Sequence, residues 1–180
     1  MLARDWYYNE RRRIGLGTAV ATIYDGHDDS DMRARAALTM LGVQQGWRVA
    51  DIGCGNGVLA CEAALMGAEV DAIDISPAML ALAEIQARDR KVRIRTQSAG
   101  LLSFAYQPNS YDLVVTEFAL HHLPDFWKAV ALARIFRALN RAAASICAIS
   151  CFPACLMDQS VMWRSGPISI STITDWPATA

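Results

Sequence analysis

Between Trp47 and Leu139 the chain alternates short apolar runs with longer stretches of helical spacing. Trp47-Arg-Val-Ala-Asp51 reads as a strand that ends in an acid, and Gly53, Gly55 and Gly57 follow at every second position. The Ala- and Leu-rich run Val58–Met66 predicts a helix, closed by Gly67 as a left-handed cap. Glu69–Asp74 alternates polar and apolar side chains and predicts a second strand. Ser76 then caps a helix that has Pro77 in its first turn and runs to about Arg88. Val92–Thr96 predicts a third strand, and Tyr111–Thr116, after the Pro108-Asn-Ser turn, a fourth. Glu117–Pro124 reads as a loop, and Asp125 opens a helix through Trp127, Val130, Leu132, Ile135 and Leu139. Ahead of the first strand, Ser30 or Asp31 caps a helix carrying Met32, Ala36, Leu38, Met40 and Leu41, which stops at Gly42. Met32, Met40 and Met79 are expected in the core.

Strands and helices that alternate at this spacing imply a doubly wound, mostly parallel α/β sheet with right-handed crossovers and helices on both faces. Ligands of such sheets lie at the carboxyl ends of the strands. Asp51, Asp74, Thr96-Gln-Ser98 and Glu117 fall there, so one rim collects them. Glycines at the first turn let a ligand approach the backbone. Asp74, about twenty residues beyond that turn, suits the two hydroxyls of a ribose. Asp51 would repel a pyrophosphate and attract an ammonium group, and Val58 stands where a dinucleotide-binding turn needs a small residue. The rim therefore favours a nucleoside with a cationic tail over NAD.

Three segments resemble class I S-adenosylmethionine-dependent methyltransferases. Asp51-Ile-Gly-Cys-Gly-Asn-Gly57 looks like their first motif, and Asp74-Ile-Ser-Pro-Ala-Met-Leu80 like the segment after their second strand. Tyr111-Asp-Leu-Val-Val-Thr-Glu-Phe-Ala-Leu-His-His-Leu-Pro124 is similar to their fourth strand and following loop. The resemblance covers roughly residues 35–140 and implies a Rossmann-like fold. It implies S-adenosyl-L-methionine as cofactor, with S-adenosyl-L-homocysteine as product. Gly53, Gly55 and Gly57, with Cys54 as a small residue between them, would line the methionine moiety, and Asp51 would hold its ammonium. Asp74 would take the ribose and Ile75 would pack near the adenine. Ser98-Ala99 stand where many members have an acid that contacts the adenine amine, so adenine recognition here differs or uses backbone. Glu117 falls where the chain passes the methyl group. Glu117, His121 and His122 are the candidate bases should an acceptor need to lose a proton. The histidine pair is read first as a loop pair, one ring over the pocket and one in solvent.

Composition narrows the partners. The net charge of −1 gives no support for nucleic acid, and Arg11-Arg12-Arg13 reads as a solvated face. The five cysteines make no CxxC pair and no metal-ligand spacing, and free thiols favour the cytoplasm. The longest apolar tract, Ala142–Met157, is broken by Ser145, Ser150 and Pro153 and falls short of a membrane span. These features point to a cytoplasmic enzyme with a small-molecule acceptor, without metal, nucleic acid or membrane; nothing in the sequence specifies an oligomeric state. The other readings are a non-catalytic nucleoside-binding remnant of such an enzyme and an NAD-dependent oxidoreductase. Asp51 and Val58 disfavour the latter.

The chain divides into an arm (1–30), the cofactor-binding domain (31–140) and an atypical tail (141–180), which leaves the C-terminal strands of the sheet incomplete. After Asn140 the family pattern calls for Pro-Gly-Gly and an apolar strand, but Arg141-Ala-Ala-Ala-Ser-Ile-Cys-Ala-Ile-Ser-Cys-Phe152 stands there. One base added after the Asn140 codon can convert this run into Pro-Gly-Gly-Arg-Phe-Tyr-Leu-Arg-Asp-Ile-Val-Phe. The tail is therefore expected to be out of frame from about Arg141, although Ala143–Ile149 is apolar enough to pair as a fifth strand. Resequencing the locus is expected to reveal the missing base, and an intact frame through these codons would remove the idea.

Overall fold

The predicted strands pair side by side in parallel, and the helices between them cover both faces of the resulting sheet. The computed structural model describes residues 29–140, 146–150, 160–164 and 170–173; the N-terminal arm lies outside them. The elements are α1 (Asp29–Met40), β1 (Arg48–Ile52), α2 (Val58–Leu65), β2 (Glu69–Asp74), α3 (Pro77–Asp89) and β3 (Ile94–Ser98). They continue with β4 (Leu113–Glu117), a 3-10 turn (Leu120–His122) and α4 (Asp125–Ala138), then β5 (Ile146–Ser150), β6 (Ser160–Arg164) and β7 (Ile170–Ile173). The strand order is β3-β2-β1-β4-β5-β6-β7. The first five in that order are parallel, and β6 and β7 each run antiparallel to the strand before. The sheet thus runs on past Asn140 and carries an antiparallel pair at that edge. Arg141–Ser145, where the expected change of frame falls, lie outside the described residues.

Local chemistry sets most of the boundaries. Ser76 caps α3 by accepting from the Met79 N–H at 3.4 Å, with Pro77 behind it. Gly67, at φ 88°, closes α2 in the left-handed region. The third strand starts two residues later than its alternation suggests. Lys91 takes φ 56° to end α3, and the Val92 N–H still bonds back to the Ala87 carbonyl at 2.9 Å. Pairing with β2 then begins at Val70 with Ile94.

Alternation along the strands divides the core between the two faces. Val49, Val70, Ala72, Leu113 and Val115 pack under α1, α2 and α3, whereas Ala50, Ile52, Ile73 and Val114 pack on the α4 side. In α1 the buried residues are Ala34 and Leu38, and Leu41, just past its end, continues the stripe at spacings of four and three. Met32 and Met40 lie off that stripe and are exposed, contrary to the sequence expectation, while Met79 is half-buried. Glu62 of α2, itself buried, accepts from Arg35 of α1 at 3.3 Å and from Arg90 at 2.8 Å; Arg90 also reaches Asp31 at 2.7 Å. This ion-pair group clamps α1, α2 and the end of α3 together on one face.

Gly57, the N-cap of α2, sits at φ 84° directly against α3. A Cβ there would stand 2.6 Å from the Ala83 Cβ and 3.0 Å from its Cα, so no side chain fits between the two helices. Gly57→Ala is expected to destabilise by about 3 kcal/mol, from left-handed strain plus overpacking, and to lower Tm by roughly 6–12 °C. Gly55→Ala, with no atom within 4 Å of the new Cβ, should carry only the strain, about 1 kcal/mol. Thermal melting of both variants checks the contrast; equal losses would contradict it.

Candidate active site

Asp51 lies two residues after Val49, Asp74 two after Ala72, and Glu117 two after Val115. Side chains two apart on a strand share a face, so all three carboxylates belong to the face covered by α1–α3. Asp51 pairs in register with Ala72 on one side and Val115 on the other. Asp74 and Glu117 therefore flank it, one step nearer the carboxyl rim. The rim convergence expected from spacing is thus present, with the added feature that the three acids share one face.

Asp51 is buried beneath the start of α2, whose Ala60 N–H donates to its carboxylate, and its Oδ2 has no hydrogen-bond partner. Burial, then the charges of Glu117 and Asp74, push its pKa up to about 8. Asp74 is buried too, but both oxygens are engaged: Oδ2 accepts from the Gly55 N–H at 3.0 Å and Oδ1 from the Ser76 N–H at 2.8 Å. This carboxylate ties the glycine turn to the end of β2. Each of its oxygens keeps a lone pair for a ligand hydroxyl. Glu117 is exposed at the rim; the protein around it raises its pKa, and the charge of Arg33 on α1 opposes the rise.

The three glycines play different parts. Gly57 serves the packing of α2 on α3. Gly53 faces Ala119 from the loop after β4, where an added Cβ would lie 2.4 Å from the alanine methyl. Only Gly55 presents an open face. Cys54 is buried, its Sγ contacts the Gly55 carbonyl at 3.7 Å, and burial followed by the Asp51 and Asp74 charges raises its thiol pKa well above the ordinary value. It stays protonated and fills space. His122 is exposed on the 3-10 turn, with its backbone N–H donating to the Ala119 carbonyl at 3.2 Å. His121 has its backbone in the same turn; its side chain lies outside the described set.

Beside the rim is a narrow cavity of about 10 Å³, lined in part by Ile75, Ala99, Gly100, Leu101 and Ala119. Ile75 and Ala99 both line it, whereas Ser98 is exposed at the end of β3 and is not in the lining. Sequence reasoning did not find Ala119, Gly100, Leu101 or Arg33. These meet the site through chain crossings; Ala119 lies within the Tyr111–Pro124 motif, but nothing in the sequence marks its contact with Gly53. Among the described residues no cluster of acids, cysteines or histidines could hold a metal ion.

An orphaned, buried carboxylate oxygen, two further acids on the same face and an open glycine suit a ligand that carries positive charge. The class so defined is an α/β nucleoside-binding enzyme. The family model described as "Methyltransferase domain" matches residues 49–142, and the chain belongs to that family. Its cofactor is S-adenosyl-L-methionine. The chain is 40% identical over 82 residues to a ubiquinone biosynthesis O-methyltransferase of Xanthomonas campestris, covering 44% of this chain and 34% of the relative. It is 36% identical over 126 residues to the protein of that name from Alkalilimnicola ehrlichii, covering 64% and 51%. It thus spans about a third to a half of the length of these curated relatives. Among solved structures, phosphoethanolamine N-methyltransferase 2 of Haemonchus contortus, in complex with S-adenosyl-L-methionine, superposes with a TM-score of 0.57 at 31% identity, covering 65% of this chain and 27% of that one.

The state of Asp51 has a measurable consequence. Its carboxyl titrates near 3.8 when unfolded and near 8 when folded, so folding takes up a proton between those values. Stability from this group therefore falls as pH rises from about 4 to about 8. Asp51→Asn keeps an oxygen for the Ala60 N–H and does not titrate. Relative to wild type, it is expected to gain at least about 1 kcal/mol of stability between pH 5 and pH 8 in urea unfolding. A parallel pH dependence of the two proteins would contradict the assignment.

Proposed function

We propose that this chain transfers the methyl group of S-adenosyl-L-methionine to a hydroxyl of a small-molecule acceptor. The observation that carries the reading is the trio Asp51, Asp74 and Glu117 on one sheet face around the open Gly55. Three acids there suit a ligand with positive charge and would repel a pyrophosphate, which disfavours NAD. When bound, the cofactor supplies an already activated methyl on a sulfonium. Asp51 offers its free Oδ2 to the ammonium and gives up its own proton as it does so. Asp74 accepts the ribose hydroxyls on lone pairs left over from its tie to Gly55 and Ser76. Gly55 leaves backbone room for the methionine part, and Ile75 and Ala99 flank the base.

Little covalent help is needed beyond alignment of the acceptor. Glu117, on the rim and with its pKa raised above the ordinary carboxylate, is the candidate to take the acceptor's proton; a higher pKa makes it a better base near neutrality. The O-methyltransferase names of the relatives in Xanthomonas and Alkalilimnicola support a hydroxyl acceptor. His122 is the second candidate base. Among the described residues no helix is long and apolar enough to cross a membrane, which is compatible with action in the cytoplasm on a dissolved acceptor.

Thermal melting with S-adenosyl-L-homocysteine and NAD side by side tests the cofactor. At 100 times its Kd the former should stabilise by about 2.7 kcal/mol and raise Tm by roughly 5–10 °C. A shift with NAD alone would sink the reading. In calorimetry Asp74→Ala should weaken S-adenosyl-L-homocysteine at least tenfold, about 1.4 kcal/mol, through lost charge-assisted hydrogen bonds. Unchanged affinity would remove Asp74 from the site. Tight binding without turnover on any phenolic or alcoholic acceptor would favour a non-catalytic remnant.

A further inference from the structure

Resting on the cofactor reading above, we infer that binding at this site is an exchange of a proton for an ammonium, in which each docking cofactor expels the proton of Asp51 to solvent. The site therefore holds its cofactor more tightly as pH rises, and nucleosides without an ammonium gain nothing from that rise. Asp51 is buried at the carboxyl end of β1, and its Oδ2 meets no hydrogen-bond partner. Ala72 and Val115 lie in register with it on the two neighbouring strands, so Asp74 and Glu117, two residues further on, stand on the same face. A charge on Asp51 would there join two like charges away from water, and the empty site avoids this by keeping the proton.

The groups around Asp51 act in the same direction. Burial comes first, and the charges of Glu117 from β4 and Asp74 from β2 add to it, pushing the carboxyl up to about 8. What opposes the rise is an uncharged donor, the Ala60 N–H of α2. The turn brings Cys54 and α2 brings Cys61; burial raises the first thiol well above its ordinary value and the second to about 11, so both are neutral at pH 7. α3 meets the turn through Ala83, and the α1 cation Arg33 acts on Glu117. When an ammonium docks, the Asp51 O–H bond breaks, its electron pair stays on the carboxylate and the proton goes to solvent. One positive charge leaves and one enters, so the buried site gains no net charge. Without the exchange the ammonium would lie against a neutral carboxyl and forgo its ion pair out of water.

Titration calorimetry of the full chain with S-adenosyl-L-homocysteine, in two buffers of different ionisation heat, counts the protons released. At pH 7 about 0.9 proton should leave per ligand bound, and affinity should rise at least about tenfold from pH 5.5 to pH 7.5. Binding with no release, or with a flat pH profile, would overturn the proposal. 5′-Methylthioadenosine, a nucleoside without the ammonium, should release none; a release equal to that of S-adenosyl-L-homocysteine would overturn the exchange. Asp51→Asn should abolish the release, and its persistence would take Asp51 out of the step. Glu117→Gln should keep the release and move the rise in affinity to lower pH, because one of the charges acting on Asp51 is gone. Loss of the release in that variant would assign the proton to Glu117 and overturn the proposal. If S-adenosyl-L-homocysteine binds the wild-type chain at no pH, the cofactor reading itself fails and this one falls with it.

Discussion

Parallel register is the constraint from which the site follows. Asp51 pairs with Ala72 and Val115, and because side chains alternate, Asp74 and Glu117 must emerge on the face that already holds Asp51. A slip of one residue would send an acid into the apolar layer under α4 and lift Ile73 or Val114 out of it. The same register that buries the core therefore gathers three acids at one rim. Electrostatics accepts this because burial and the neighbouring acids hold Asp51 protonated. A cationic ligand is the natural relief of that arrangement.

The glycine turn is held from two sides. Asp74 grips the Gly55 N–H, and the Ile73 carbonyl accepts from Gly53 and Cys54 at 2.7 and 3.0 Å, so the turn is bonded to the end of β2 before any ligand arrives. Ala119 closes on Gly53 and Ala83 on Gly57. Such a turn is preorganised, and little ordering is left for binding to impose. The clamp of Glu62, Arg35, Arg90 and Asp31 extends this rigidity to the helices behind it, since α2 begins at the turn and ends beneath Gly67. Structural ion pairs and the three strand-end acids thus share one face without overlapping: the first knit helices together and the second stand at the strand ends.

Much of this was legible in order along the chain. The strand–turn–helix around Asp51, the cap at Ser76 with Pro77, the left-handed stop at Gly67 and the acids at the strand ends follow from rules that act over a few residues. Errors arose where distant packing decides. Met32 and Met40 are apolar, but the stripe through Ala34, Leu38 and Leu41 takes the buried side of α1. The third strand starts late because the closure of α3 through Lys91 uses up Val92. Past Asn140, β5 pairs with β4, as the apolar run up to Ile149 allows, and β6 and β7 extend the sheet beyond it, since an apolar strand needs only an open edge.

The glycines mark the division best. From the sequence alone three alternating glycines, an acid before them and another after the next strand mark a candidate nucleoside-binding turn, because each requirement is local backbone or charge chemistry. Which glycine faces a ligand is a matter of what the rest of the chain brings near. Gly57 belongs to Ala83 and Gly53 to Ala119, leaving Gly55 open, and only tertiary packing makes that choice. The charge state of Asp51 is decided the same way: its acidity is written in the side chain, but its burial under α2 and the company of Asp74 and Glu117 come from the fold.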